Sequence, residues 1–236
     1  MSSSRAALLS ATFWQPDDDH RVELVHQRDR RGDRHLAGVD LLVYDEAGKE
    51  LGARALDPRD EVVDLDRLVR EMTRAEPRAM VVFDARYDTA IFPYRPHHYA
   101  YLHRRGSRAP ALYYAVNAVL GGVPDRIGAT NFNNFETYVF RRGPFDVRHA
   151  VLLGNPARFS TAEAEVTAYY DAERVVRTVS IEPKAHAEIA LPSTHDGRAL
   201  SRVDVKSMFR LASYVAGRRA RTGDPVIFDH LFTYLR

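Results

Sequence analysis

The run His97-His98-Tyr-Ala-Tyr-Leu-His103 gathers the most metal-capable side chains in the chain. Imidazole nitrogens suit zinc, copper, iron or nickel, and three of them would fill most of a first coordination shell. The spacing works against that use. Adjacent His97 and His98 point to opposite faces of a strand, and the five-residue step from His98 to His103 matches neither a strand face nor a helix face. No carboxylate within the run completes a ligand set, so it reads as a polar segment. No metal centre is expected, and His97, His98 and His103 remain weak candidates.

Other groupings offer chemistry and fall short of it. Asp17-Asp18-Asp19-His20 presents carboxylates to calcium or magnesium, but without the alternating oxygen ligands and central glycine of a dedicated loop. Asp57, Asp60, Glu61, Asp64 and Asp66 could supply a general acid and base, and read more simply as a solvated face with a helix cap. His195-Asp196 and Asp229-His230 suggest triads. Neighbours in sequence seldom orient one another, however, and no Gly-x-Ser-x-Gly elbow supplies a nucleophile. Neither dinucleotide nor P-loop glycine patterns occur, nor does His-Glu-x-x-His. No catalytic residue and no cofactor is therefore assigned.

Binding chemistry is better represented. Asn131-Phe-Asn-Asn134-Phe135 combines amides, which donate and accept, with aromatic faces that pack on apolar surfaces. With Tyr113, Tyr114 and Asn117 it could line a pocket for a small molecule or peptide. Tyr113, Asn117, Asn131, Asn133 and Phe135 are accordingly the candidate ligand-binding residues. The bland alternative is an inter-domain turn in which asparagines cap the backbone. Arginine clusters at Arg28-Asp-Arg-Arg31, Arg104-Arg105, Arg141-Arg142 and Arg218-Arg219 could grip phosphates. With 34 basic residues against 32 acidic ones the charge is nearly balanced, which argues against nucleic acid as the partner.

The elements that must position these residues are mostly strands. Val39, Leu41 and Val43 alternate with Asp40, Leu42 and Tyr44, the period of a strand with one buried face. Glu46-Ala-Gly48-Lys supplies a hairpin turn. Leu65, Leu68, Val69 and Met72 fall at helical spacing behind Asp64 as N-cap, so one short helix is expected there. Pro110 to Leu120 suits a helix or a buried strand. Val203-Asp-Val-Lys-Ser is taken as a strand in the place that Met80-Val-Val-Phe holds earlier.

That correspondence is one part of an internal repeat. Val39-Asp-Leu-Leu-Val-Tyr44-Asp45, Leu56-Asp57-Pro58 and Val63-Asp64-Leu65 are echoed by Glu165-Val-Thr-Ala-Tyr-Tyr170-Asp171, Ile181-Glu182-Pro183 and Ile189-Ala190-Leu191. A repeat this long implies two whole domains, 1–122 and 123–236, with the boundary at Gly121-Gly-Val-Pro124. The expected fold is all-β and mainly antiparallel: two tandem β-sandwich-like repeats with one or two short helices. Over half of the aromatic residues fall between Phe83 and Phe145, around the join of the copies.

With 236 residues, 45% of them hydrophobic, each half can bury its own core. The chain has no cysteine, which excludes disulfides and thiolate chemistry and suits a reducing compartment. The N-terminus is a poor signal peptide and no apolar run spans a membrane, so a soluble cytoplasmic protein is expected. The functional expectation is a non-enzymatic binding or scaffolding protein. It would engage a protein partner, or itself as a homodimer, through the aromatic and asparagine-rich segment between the copies. The alternative is a small-molecule binder or enzyme with its site in the inter-repeat seam.

Overall fold

The period-two alternation produces strands throughout. The computed structural model describes residues 6–15, 18–27, 35–57, 60–73, 78–88, 97–119, 134–140 and 146–233. Asp17, the arginine clusters at 28–31 and 141–142, the proposed boundary at 121–124, Asn131 and Asn133 lie outside those residues. Contacts divide the chain into two units, Met1–Gly122 and Val123–Arg236. Among the described residues no helix is long and apolar enough to cross a membrane.

The first unit runs β1(Ala6–Trp14), β2(His20–Gln27), β3(Leu36–Tyr44), β4(Glu50–Leu56), β5(Val62–Asp64), α1(Leu65–Thr73), β6(Ala79–Tyr87), β7(His97–Arg104), β8(Pro110–Ala115) and β9(Asn117–Val119). Its strands form two antiparallel sheets, in the orders β4-β3-β6-β1-β9 and β5-β2-β7-β8. Within Pro110 to Leu120 the described residues, 110–119, thus resolve in favour of strands. The two sheets meet through side chains that alternate inward. Phe83 of β6 stacks on His98 of β7, with ring centroids 5.0 Å apart.

The expected helix is α1. Asp64 caps it, its Oδ1 accepting the Arg67 backbone N–H at 2.9 Å, and Leu65, Leu68 and Val69 are buried. Asp66 in its first turn is also buried and ties the helix down from three sides. Its oxygens accept from Trp14 Nε1 at 3.1 Å, Arg70 Nε at 3.0 Å and Arg105 Nη2 at 2.8 Å. The acids read as a solvated face therefore include one structural hub, because a carboxylate with three donors can be buried at low cost.

The second unit comprises β10(Asn134–Val139), β11(Val147–Gly154), β12(Ala162–Tyr170), β13(Glu173–Ile181), β14(His186–Leu191), β15(Thr194–His195), β16(Arg198–Ala199), β17(Arg202–Ser207), β18(Ala212–Arg219), β19(Pro225–His230) and β20(Phe232–Thr233). Its main sheets read β13-β12-β17-β10-β20 and β14-β11-β18-β19, with β15 and β16 as a separate small hairpin. Ala164, Val166, Ala168 and Tyr170 of β12, Val203 and Val205 of β17, Val151 and Leu153 of β11 and Ile189 and Leu191 of β14 share one core, so both sheets close on it.

Strand by strand, the two units have the same topology. The order β4-β3-β6-β1-β9 becomes β13-β12-β17-β10-β20, and β5-β2-β7-β8 becomes β14-β11-β18-β19. Strand β17 does take the place of β6. The residue-level match needs one adjustment. The inward side chains are Val39, Leu41 and Val43 on β3, and Val166, Ala168 and Tyr170 on β12. Matching Tyr44 to Tyr170 would set inward residues against outward ones, since a one-residue slip exchanges the faces of a strand. Inward residues must be matched to inward ones: Ser10–Phe83–Leu41–Arg54 forms one inward cross-strand row in the first unit, and Glu136–Val205–Val166–Arg177 forms one in the second.

Candidate functional site

The candidate site lies in the second unit, where the two sheets part between their edge strands β13 and β14. A pocket of about 140 Å³ opens there, lined by Val166, Ala168 and Tyr170 of β12, Val175 and Arg177 of β13, Ile189 to Leu191 of β14, Pro192 and His195. Strand parity explains the lining. Val175 and Arg177 pair with Ala168 and Val166 and so share their inward face. On an edge strand that face looks past the core toward the opening. The floor is apolar, and the polar groups converge at the mouth.

Arg177 spans the opening, its Nη1 donating to the Ala190 carbonyl at 3.3 Å. Among the described residues no carboxylate pairs with it. Tyr170 closes the far side, its hydroxyl donating to the Pro192 carbonyl at 2.9 Å. Burial raises the Tyr170 phenol above its ordinary value, with the Arg177 charge opposing the shift. The His195 ring sits 5.4 Å from that of Tyr170. Beyond it, Glu173 is ion-paired with Arg198, and His195 Nε2 lies 4.0 Å from Glu173 Oε2 and 3.9 Å from Asp196 Oδ2.

Glu173, His195 and Asp196 each present a ligand atom, all within 4.8 Å of one another, and could hold a divalent cation. The Arg198 guanidinium already neutralises Glu173, and all three residues are solvent-accessible. The cluster works as an ion-pair rim that holds β15 and β16 against the β12–β13 turn. That turn is tight: Tyr170 pairs with Glu173 across Asp171-Ala172, and Asp171 takes a φ of 54°.

The first unit treats the same place differently. On β4, the edge strand that holds the place of β13, Gly52 and Arg54 lie against α1. The Met72 side chain packs so closely on Gly52 that an added Cβ would lie 2.9 Å from its Cγ. Glu71 accepts from Arg54 Nη1 at 3.3 Å. A helix thus fills the opening that the second unit leaves as a pocket, where the short β15–β16 hairpin replaces it.

The residues singled out from sequence are not brought together. Tyr113 lies on β8, 68% exposed, with its ring stacked 6.1 Å from Tyr101. Asn117 begins β9 opposite Ala11, and only its backbone is described. Phe135 is half-buried on β10 of the other unit. Asn131 and Asn133 fall outside the described residues. As strand parity requires, His98 and His103 face opposite sides of β7: His98 packs inward on Phe83, while His103 Nε2 lies 3.2 Å from Glu23 Oε2. Sequence reasoning weighs His195 only as a triad member and passes over Arg177. The signal that could have found Arg177 is strand parity: it alternates in phase with Val175 and Val179, as Arg54 does with Gly52 and Leu56.

No protein-family model matches the chain, and no curated protein matches it significantly.

Proposed function

We propose that the protein is a non-enzymatic, cytoplasmic binding protein whose second unit holds a small ligand in the pocket between β13 and β14. The observation that carries this reading is the pairing of an apolar floor with Arg177, Tyr170 and His195 at the mouth. Small-ligand sites combine a hydrophobic lining with a few orienting polar groups in this way. An apolar cavity of about 150 Å³ holds a benzene-sized guest, and this pocket, at about 140 Å³, is of that order. The cysteine-free composition supports the reducing compartment.

The test is ligand-observed NMR with a library of benzene-sized fragments, run on the wild-type chain and on Val175→Phe, which narrows the mouth from an edge strand. Fragments that bind the wild type and lose binding in the variant are expected. A library whose hits are indifferent to Val175→Phe would overturn the reading.

A further inference from the structure

We infer that the ligand of this pocket is a small organic acid, with its apolar body among Val166, Ala168, Val175, Ile189 and Leu191 and its carboxylate facing Arg177. The inference rests on the binding reading above and adds the ligand's chemical class. It is supported by what the first unit does on the equivalent edge strand, β4. There, α1 supplies an apolar side chain, Met72, against Gly52 and a carboxylate, Glu71, to Arg54 at 3.3 Å. The first unit thus makes within its own chain the contact pattern that an apolar acid would make in the second.

Charge at the mouth points the same way. Of its two arginines, Arg198 is engaged with Glu173. Arg177 bonds one neutral carbonyl, Ala190, and among the described residues pairs with no carboxylate. A guanidinium carries five N–H donors in a fork that matches a carboxylate, so several remain to recognise one. The pocket's size limits the body to about one six-membered ring.

The experiment compares benzoate, benzamide and benzylamine, three near-isosteres that differ in charge, by NMR titration at pH 7 on wild type, Arg177→Gln and Arg177→Lys. Val175→Phe reports whether binding is in the pocket. Arg177 is solvent-exposed, so its replacement leaves the fold intact, as a thermal melt will verify. Benzoate is expected to bind about tenfold tighter than benzamide. Arg177→Gln should erase that preference and Arg177→Lys should keep part of it. Equal binding of benzoate and benzamide, or preference for benzylamine, with all three sensitive to Val175→Phe, overturns the acid while the binding reading stands. Binding of none of the three in a manner sensitive to Val175→Phe overturns the acid and, if the fragment library fails as well, the binding reading with it.

Discussion

The two units share one sandwich topology, yet one seals its open edge with α1 and the other leaves a pocket. Both place an arginine at the rim, Arg54 and Arg177. Among the described residues only Arg54 receives a carboxylate from its own chain, from Glu71. The difference lies in the segment just after the edge strand of the second sheet. After β5, three residues long, the chain turns at Asp64 into a capped amphipathic helix; after β14, six residues long, it makes only the β15–β16 hairpin. Duplicated folds can diverge this way because strand pairing holds the sandwich, so the segment that bridges its edge is free to change.

If α1 is the plug, the largest effect should come from removing its inward side chains. Leu68, 5% exposed, is expected to cost about 2–5 kcal/mol on Leu68→Ala, read from urea unfolding. Leu68→Ala with Met72→Ala should also open a cavity beside Arg54. That cavity would bind benzene-sized fragments in the first unit, making it resemble the second. A cost below about 0.5 kcal/mol, typical of a surface change, would break the comparison.

An intermediate effect tests how tight the plug is. Gly52→Ala sets a methyl 2.9 Å from Met72 Cγ and Sδ, and the Met72 side chain must move to admit it. About 1 kcal/mol of destabilisation is expected, the lower end of overpacking costs. Met72→Ala in the same chain should abolish that penalty, a coupling readable by a double-mutant cycle. At the corresponding site, Val175→Ile extends into open space and should be neutral or slightly stabilising. Equal costs at the two sites would mean the openings are alike.

Much of this architecture is visible in the residues. Strand alternation such as that of Val39 to Tyr44, the helical spacing of Leu65, Leu68 and Val69 and the Asp64 cap all reflect local physics, and each appears as expected. The duplication shows through Leu56-Asp57-Pro58 and Ile181-Glu182-Pro183, since Leu56 and Ile181 both end their strands. The repeat match slips by one residue at Tyr170 because a Tyr-Asp landmark records composition and ignores which face of the pleat a residue occupies. The pocket is harder to see, being made by a helix that the second copy does not carry. No string of residues spells out such a difference. Aromatic density draws attention to Tyr113 and Phe135, which lie in different units.

The smallest expected effect concerns the same cross-strand rows at their other end. Where the first unit has Ser10, the second has Glu136, fully buried beside Ser213 and Asn134 and 3.6 Å from Arg210. Burial raises its carboxyl above the usual value of 4.5, with those neighbours opposing the shift. A group whose folded-state value is raised contributes stability that is full below its unfolded value and is lost as pH rises through the folded one. Wild type should therefore lose stability above about pH 4.5 relative to Glu136→Gln, which has no proton to release. The variant's melting temperature should gain on that of wild type as pH rises above about 4.5, whereas Ser10→Ala in the first unit should show no such trend. A Glu136→Gln difference that stays flat with pH would mean that Arg210 and the neighbouring polar groups balance the burial. The second unit would then carry its buried charge as easily as the first carries its hydroxyl.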